Sequence, residues 1–471
     1  MEAGWYDDPD DADRQRWWDG QQWTAHVQQD PAGDDGAVAA PARAGRGPRS
    51  AGAAIGGLVL IAAVALGWWA GSTRSEPPGQ QPGGMASPES RETADEPLKD
   101  FRTGQTTGAE DSRVSLQDLQ QLTWHRQINA DRSSGARMGH YLLDAASHGS
   151  TVVAVGVGNE GGLVWTSQDD GESWELVPHD DEVFGRPGRR GQMRSVVAGD
   201  AGFVAVGGYD GASGHPTHSM AWTSTDGMTW DAVTVEPHDA EAIHGMHSVV
   251  EAGPGFVAVG SGTRGAVWTS TDGTDWQQVP HEAVGGGTRY HALRAVTTWG
   301  SGLVAVGRYG GDPSFGWPPV VWASPDGLAW EARVLEDLSR DGFGSIVAGG
   351  PGLVATGRVG GGWPTWTSID GAEWAATEAV DADFENAGLH DVAGFGGALL
   401  AIGVANADDG GRDFVPGMWF SEDGTSWQRV ALDESVFGRE ALLGSLFPIG
   451  SRLMIVGQSG EYEEIWTARL P

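Results

Sequence analysis

Seven times this chain closes a short run of small and branched residues on a glycine. The runs are VAVG at 153–156, 204–207, 257–260 and 304–307, VATG at 354–357, LAIG at 400–403 and MIVG at 454–457. Their glycines lie 51, 53, 47, 50, 46 and 54 residues apart. A period near fifty marks a repeat architecture, in which each unit buries its apolar face against the next. Each unit reads as four strands. In the second, MRSVVAG, GFVAVGG, MAWTSTD and TWDAVTV are apolar runs of strand length, with Gly or Asp at the joints. Four short strands per unit at this period predict an all-β chain folded as a seven-bladed β-propeller over 114–471.

Two details sharpen that expectation. Asp144, Ser195, Ser248, Ala295, Ser345, Asp391 and Ser445 each stand twelve residues before their unit's glycine. Only a fixed turn between the first and second strands keeps such a count. The seventh unit, in turn, ends at IWTARLP without a fourth strand, while LTWHRQI at 122–128 precedes the first unit as an unassigned one. The N-terminal strand is therefore expected to complete the last blade, close the ring and remove an exposed edge.

Fourteen of the 23 tryptophans fall in two repeated slots. Trp165, Trp222, Trp268, Trp322, Trp366, Trp419 and Trp466 open the third strand of their units. Trp124, Trp174, Trp230, Trp276, Trp330, Trp374 and Trp427 open the fourth. A residue present in every blade is packing between blades rather than a ligand platform. Between the two slots lies a turn such as WTSTDGTDW at 268–276, where Asp-Gly suits a hairpin. The stretch is similar to the Asp-box of neuraminidase-repeat propellers, S-x-D-x-G-x-x-W. Ser167, Asp169, Gly171 and Trp174 keep that spacing, and the other five boxes lack one residue between Asp and Gly. The resemblance implies propeller architecture. It does not imply sialidase activity, because in that family the box lies away from the active site.

Composition narrows the partners. With 64 Asp and Glu against 29 Lys and Arg, the net charge of −35 argues against nucleic acid and against adsorption on anionic lipid. The absence of cysteine removes disulfides, thiolate metal sites and Cys nucleophiles. Residues 51–72 carry no charge. At about 1.5 Å per residue they span roughly 33 Å, enough for one transmembrane helix. Arg43, Arg46 and Arg49 before it, and acidic residues after it, orient the N-terminus to the cytoplasm and the propeller to the outside. Residues 29–50 form a linker, and 73–113, rich in Pro, Gly and Ser, a disordered stalk.

Residues 1–28 hold GWYDDPDDADRQRWWDGQQWTAHV, a small Trp-rich unit. It resembles a short domain of unknown function common in actinobacterial membrane proteins, with the pattern GWYPDP…RWWDG..WT.H. Asp7 stands where that pattern has Pro. The resemblance implies an actinobacterial source and no activity. A cytoplasmic partner for this unit is one reading, a simple packing unit the other.

The variable segments, 178–192, 208–221, 308–321 and 404–418, all fall on the second–third and blade-to-blade connections, so binding is expected on that face. The residue just before the fixed slot reads Leu143, Arg194, His247, Arg294, Gly344, His390 and Gly444. Arg194, His247, Arg294 and His390 thus form a ring of four potentially cationic groups, suited to an anionic or carboxylate-bearing ligand. Pairing with nearby loop carboxylates is the competing account. Tyr309 and Trp317 add aromatic surface in the same loops. The ligand is expected to be a glycan, peptide or protein outside the cell, bound without cofactor. The His/acid stretches around His179, His215, His218, His238 and His244 match no defined metal motif. A sialidase-like glycosidase would have to recruit Arg194, Arg294, Tyr290 and Glu282, without the Arg-Ile-Pro segment of that family. A signalling or assembly scaffold is the remaining alternative.

Overall fold

A computed structural model describes residues 4–8, 11–18, 23–29 and 114–470, apart from 129–139, 187–188, 211–215, 236–244, 254, 263–264, 286–290, 311–316, 336–341, 351, 358–364, 378–387, 407–413 and 461. The apolar run 51–72 and the stalk 73–113 lie outside the described residues. Among those described, no helix is long and apolar enough to cross a membrane. The chain divides into two units, Met1–Gly83 and Gly84–Pro471. In the first, strands Gly4–Asp8, Asp11–Trp18 and Trp23–Gln29 form an antiparallel meander in that order, with Trp5 opposite Trp17 and Trp18 opposite Trp23.

The second unit is an all-β propeller. Its repeats are antiparallel meanders that run outward in sequence order, as in the first: Tyr141–His148, Thr151–Val157, Gly162–Ser167, Glu175–Leu176. Four of these sheets have four strands, and one has five through the short addition Gly185–Arg186. The repeat count predicts seven blades, but five stand as separate sheets. The strands of the third and fourth repeats share one eight-stranded sheet, joined at the single pair Ser261 and Ala292. Ser261 ends the second strand of one meander just where Ala292 begins the first strand of the next, so their edges meet. The first strands of successive repeats touch in an unbroken cycle, and Ala441–Ile449 returns to Tyr141–His148.

The seventh repeat is completed from the N-terminal side. Trp124–Arg126 pairs with Tyr462–Arg469, placing Arg126 opposite Trp466 and Trp124 opposite Ala468. The helix Leu116–Gln120, capped by Ser115, leads into this strand. Arg126 binds Glu464 at 3.2 Å and donates to Val436 O at 2.8 Å. Across the joint between last and first repeats, Arg452 and Arg469 both pair with Glu172.

The repeated glycine has a steric cause. A Cβ on Gly207 would lie 1.8 Å from Gln192 O, and one on Gly307 1.9 Å from Ala292 O. All seven glycines meet the carbonyl of the neighbouring first strand in this way. Any side chain there would push the two innermost strands apart.

The apolar core lies between blades. Val204, Val206, Ala221 and Val235 of the second repeat pack on Met246, Val249, Ala258 and Trp268 of the third. The third-strand tryptophans are the largest side chains enclosed there, with Trp222, Trp322, Trp366 and Trp466 fully buried. Burial of a whole indole is worth several kcal/mol, roughly 150–250 Å² at about 25 cal/mol/Å². The turns between tryptophans share one bonding scheme. Ser270 Oγ accepts from Gly273 N at 2.9 Å, and Asp272 Oδ1 accepts from Thr274 N at 2.8 Å and Asp275 N at 2.9 Å. Trp276 Nε1 donates to Gly273 O at 2.8 Å. Bonds from Asp275 N and Thr274 N draw the Asp272 carboxyl down to about 2. The first turn is one residue longer and places Asp170 at φ 58°.

Candidate functional site

The seven first strands carry the same irregularity. Pairing with the second strand shifts register between Leu142 and Asp144, Met193 and Ser195, Met246 and Ser248, Leu293 and Ala295, Phe343 and Ser345, Leu389 and Asp391, and Leu443 and Ser445. The skipped residue is a β-bulge in every repeat: Leu143, Arg194, His247, Arg294, Gly344, His390 and Gly444. A bulge bends its strand and re-aims its side chain. The residues read as a ring in the sequence are thus the unpaired positions of the innermost strands.

The residue after each bulge ties one repeat to the next. Asp144 Oδ2 accepts from Val196 N at 2.9 Å, Ser195 Oγ from Val249 N at 3.3 Å, and Ser248 Oγ from Val296 N at 3.3 Å. Asp391 Oδ2 accepts from Leu446 N at 3.0 Å and from Ser445 Oγ at 3.1 Å, and its Oδ1 accepts from Ser345 Oγ at 3.2 Å. Ser445 Oγ also lies 3.5 Å from Asp144 Oδ1, so the belt crosses the joint between last and first repeats. Ala295 has no side-chain acceptor to contribute. Burial pushes the Asp144 carboxyl up to about 6, against the pull of the N–H donors of Val196 and Ala145. Burial raises Asp391 as well.

The two histidines of the ring each bond the backbone of the next first strand. His247 Nδ1 lies 2.9 Å from Leu293 O, and His390 Nδ1 lies 2.9 Å from Leu443 O. A carbonyl only accepts, so Nδ1 carries the proton in both and each ring braces the next first strand. Burial holds His247 well below the usual imidazole range, and Arg294, Arg194 and Arg308 push it further. Burial lowers His390 too, with Asp391 opposing. Both rings are neutral near pH 7. Ser261 Oγ stands 3.3 Å from His247 Nε2, where it donates to the neutral ring.

Arg194, His247 and Arg294 occupy the same bulge position on three consecutive first strands, which pack on one another. Arg194 Nη2 donates to Gln192 Oε1 at 2.6 Å. Arg308, which the sequence reading passed over, belongs with them. It lies opposite Ala292 on the second strand of the fourth repeat, and its guanidinium sits 4.9 Å from the Trp317 ring centre. Its one sequence signal is a charge immediately after Gly307, shared with Arg358 after Gly357, where the other repeats carry Val157, Gly208, Ser261, Val404 and Gln458. His390 lies three repeats beyond His247 and is not part of this group. Tyr309 packs edge-on to His291, 4.9 Å between ring centres.

Of the residues a sialidase-like centre would recruit, Arg194 and Arg294 share the bulge position. Glu282 is exposed on the one-turn helix His281–Val284, which packs on the outer strand of the fourth repeat through Trp330 N to Ala283 O. Tyr290, His215, His238 and His244 lie outside the described residues. Among the described residues no three His, Asp or Glu side chains gather as metal ligands.

Residues 3–36 match DUF2510, a family described as a protein of unknown function. No curated protein matches the chain. Solved structures similar to it include a Trypanosoma rangeli sialidase in complex with sialic acid, at 12% identity and TM-score 0.39, covering 77% of this chain and 59% of that one. The chain thus spans little more than half the length of that protein. An α-L-arabinofuranosidase of Fusarium graminearum is similar at 13% identity and TM-score 0.38, over 74% of this chain and 97% of its own. The β-propeller domain of the Trilobed protease of Pyrococcus furiosus is similar at 10% identity and TM-score 0.39, over 70% and 95%.

Proposed function

We propose that the chain is a membrane-anchored, extracytoplasmic binding protein that takes an anionic ligand at the mouth of its ring. Arg194 and Arg294 hold the anion, and His247 stands between them. The observation that carries this reading is the bulge, which puts these three residues side by side on adjacent strands. Guanidinium forks match the oxygens of an anion in paired, charge-assisted hydrogen bonds better than they match a neutral sugar. Anchoring through 51–72 rests on that segment's length and lack of charge. We further read the ring as seven blades with Asp-box-type turns. The eight-stranded sheet then counts as two blades, a reading supported by its single joining pair and by the cycle of first strands.

Calorimetric titration of the purified chain with acetate, glucuronate and sulfate tests the site. At least one anion should bind, and Arg194→Ala with Arg294→Ala should weaken it about 100-fold, as for two charge-assisted hydrogen bonds. Binding that survives the double substitution, or no binding by any of the three, would overturn the proposal.

A further inference from the structure

The tryptophan slot that opens the fourth strands is not covered alike in every repeat. Trp124, Trp230, Trp330, Trp374 and Trp427 are buried there, as packing between repeats requires. Trp276 and Trp174 are only half-buried. Recurrence marks the slot as packing, and in the third repeat it is packing only in part. Trp276 rests, with Val233, against the core between the second and third repeats. It also borders a cavity of about 320 Å³. One wall of that cavity is residues 233–235, on the outermost strand of the second repeat, Asp231–Val235. The other is residues 274–277, from the turn and outer strand of the third. Outer strands form both walls, so the cavity is separate from the bulges of the innermost strands.

The lining defines what fits. Trp276 Nε1 is committed to Gly273 O at 2.8 Å, so the indole offers the cavity apolar ring surface rather than a donor. Thr234, Asp275 and Gln277 stand exposed around it. They supply a hydroxyl, a carboxylate and an amide, which are donors and acceptors within one small space. A ligand that meets both demands has an apolar face and a rim of hydroxyl groups. A pyranose ring has both: its C–H face lies on an indole while its hydroxyls reach the polar groups. The volume is at the lower end for small-molecule clefts, roughly 300–1,000 Å³. Among the described lining residues the one ionisable group is Asp275, which repels an anion.

We propose that this cavity between the outer strands of the second and third repeats binds a neutral saccharide, with Trp276 as the platform. The same indole then serves packing on one side and recognition on the other.

Saturation-transfer NMR and calorimetry on the full chain test the site with three probes, the methyl glycosides of glucose, galactose and mannose. At least one should bind, and excess glucuronate should not displace it. Trp276→Ala should weaken binding at least 10-fold, whereas Trp276→Phe, which keeps an aromatic face, should lose about 3-fold. Asp275→Ala and Gln277→Ala install residues already present at the equivalent Ala329 and Ala375 and so spare the fold. Each should cost about 5–10-fold, as for one hydrogen bond. Arg194→Ala with Arg294→Ala should leave saccharide binding unchanged, which keeps this test apart from that of the ring mouth. Binding of none of the three glycosides, displacement by glucuronate, loss of binding in the arginine double variant, or unchanged affinity in both Trp276→Ala and Gln277→Ala would overturn the proposal.

Discussion

At the scale of single residues, Asp144 carries the clearest pH signature. Its carboxyl is raised to about 6 by burial, so the folded chain binds a proton there more readily than the unfolded chain does. An acid raised on folding destabilises when ionised. Stability should therefore increase as pH falls from above 6 toward 4, and the gain should be complete near the unfolded value of about 3.9. The size is at most on the order of 2–3 kcal/mol. Below pH 4 the turn carboxyls oppose it, because Asp272 at about 2 and its equivalents are lowered on folding and lose their bonds on protonation. Melting midpoints from pH 8 to 4.5 should rise for the native chain and rise less for Asp144→Ser, which installs the residue already present at Ser195, Ser248 and Ser445 and leaves the raised Asp391 in place. Equal slopes in the two proteins would assign the effect to general charge reduction instead. The slot of Asp144 was visible in the sequence as a fixed count to a glycine, but its task was not. A hydrogen bond to the next repeat's backbone leaves no mark in spacing. The same holds for His247 and His390, whose charge state follows from a carbonyl on another strand rather than from residue type.

Among elements, single members of the two tryptophan slots differ in cover. Trp322 is fully enclosed, whereas Trp276 at the outer strand is only partly covered. Trp322→Ala should cost about 3–5 kcal/mol in urea unfolding and Trp276→Ala clearly less. Equal losses would mean that the third-strand slot has no special place in the packing between blades. These slots were legible in advance because packing repeats when geometry repeats. The bulge was not, since it adds one residue to every first strand alike and so leaves the spacing of twelve unchanged. Arg308 was illegible for a related reason: it stands at a position whose residue type varies among the repeats. The count of blades was read from seven glycines, yet pairing at Ser261 and Ala292 merges two meanders, which no periodicity could announce.

For the molecule as a whole, the ring depends on a three-residue strand. Removing 114–128 deletes the partner of Tyr462–Arg469 and takes Arg126 away from the buried Glu464 carboxylate. The truncated chain should melt well below the intact one, and Arg126→Ala should fall between the two. A truncated chain as stable as the parent would show that closure adds nothing to the core between blades. Breaking a buried pair from one side typically costs about 3–5 kcal/mol, so the substitution alone is measurable.

The closing strand also sets an order on biosynthesis. Gln127 bonds to Thr467, 340 residues later. At about 5–20 residues per second, the first strand waits on the order of tens of seconds for its partner to be made. Any product ending before Tyr462 keeps two raw strand edges, open to aggregation or to a protease. The joint that seals the propeller is therefore also a proofreading step, which only a chain translated through its last repeat can pass.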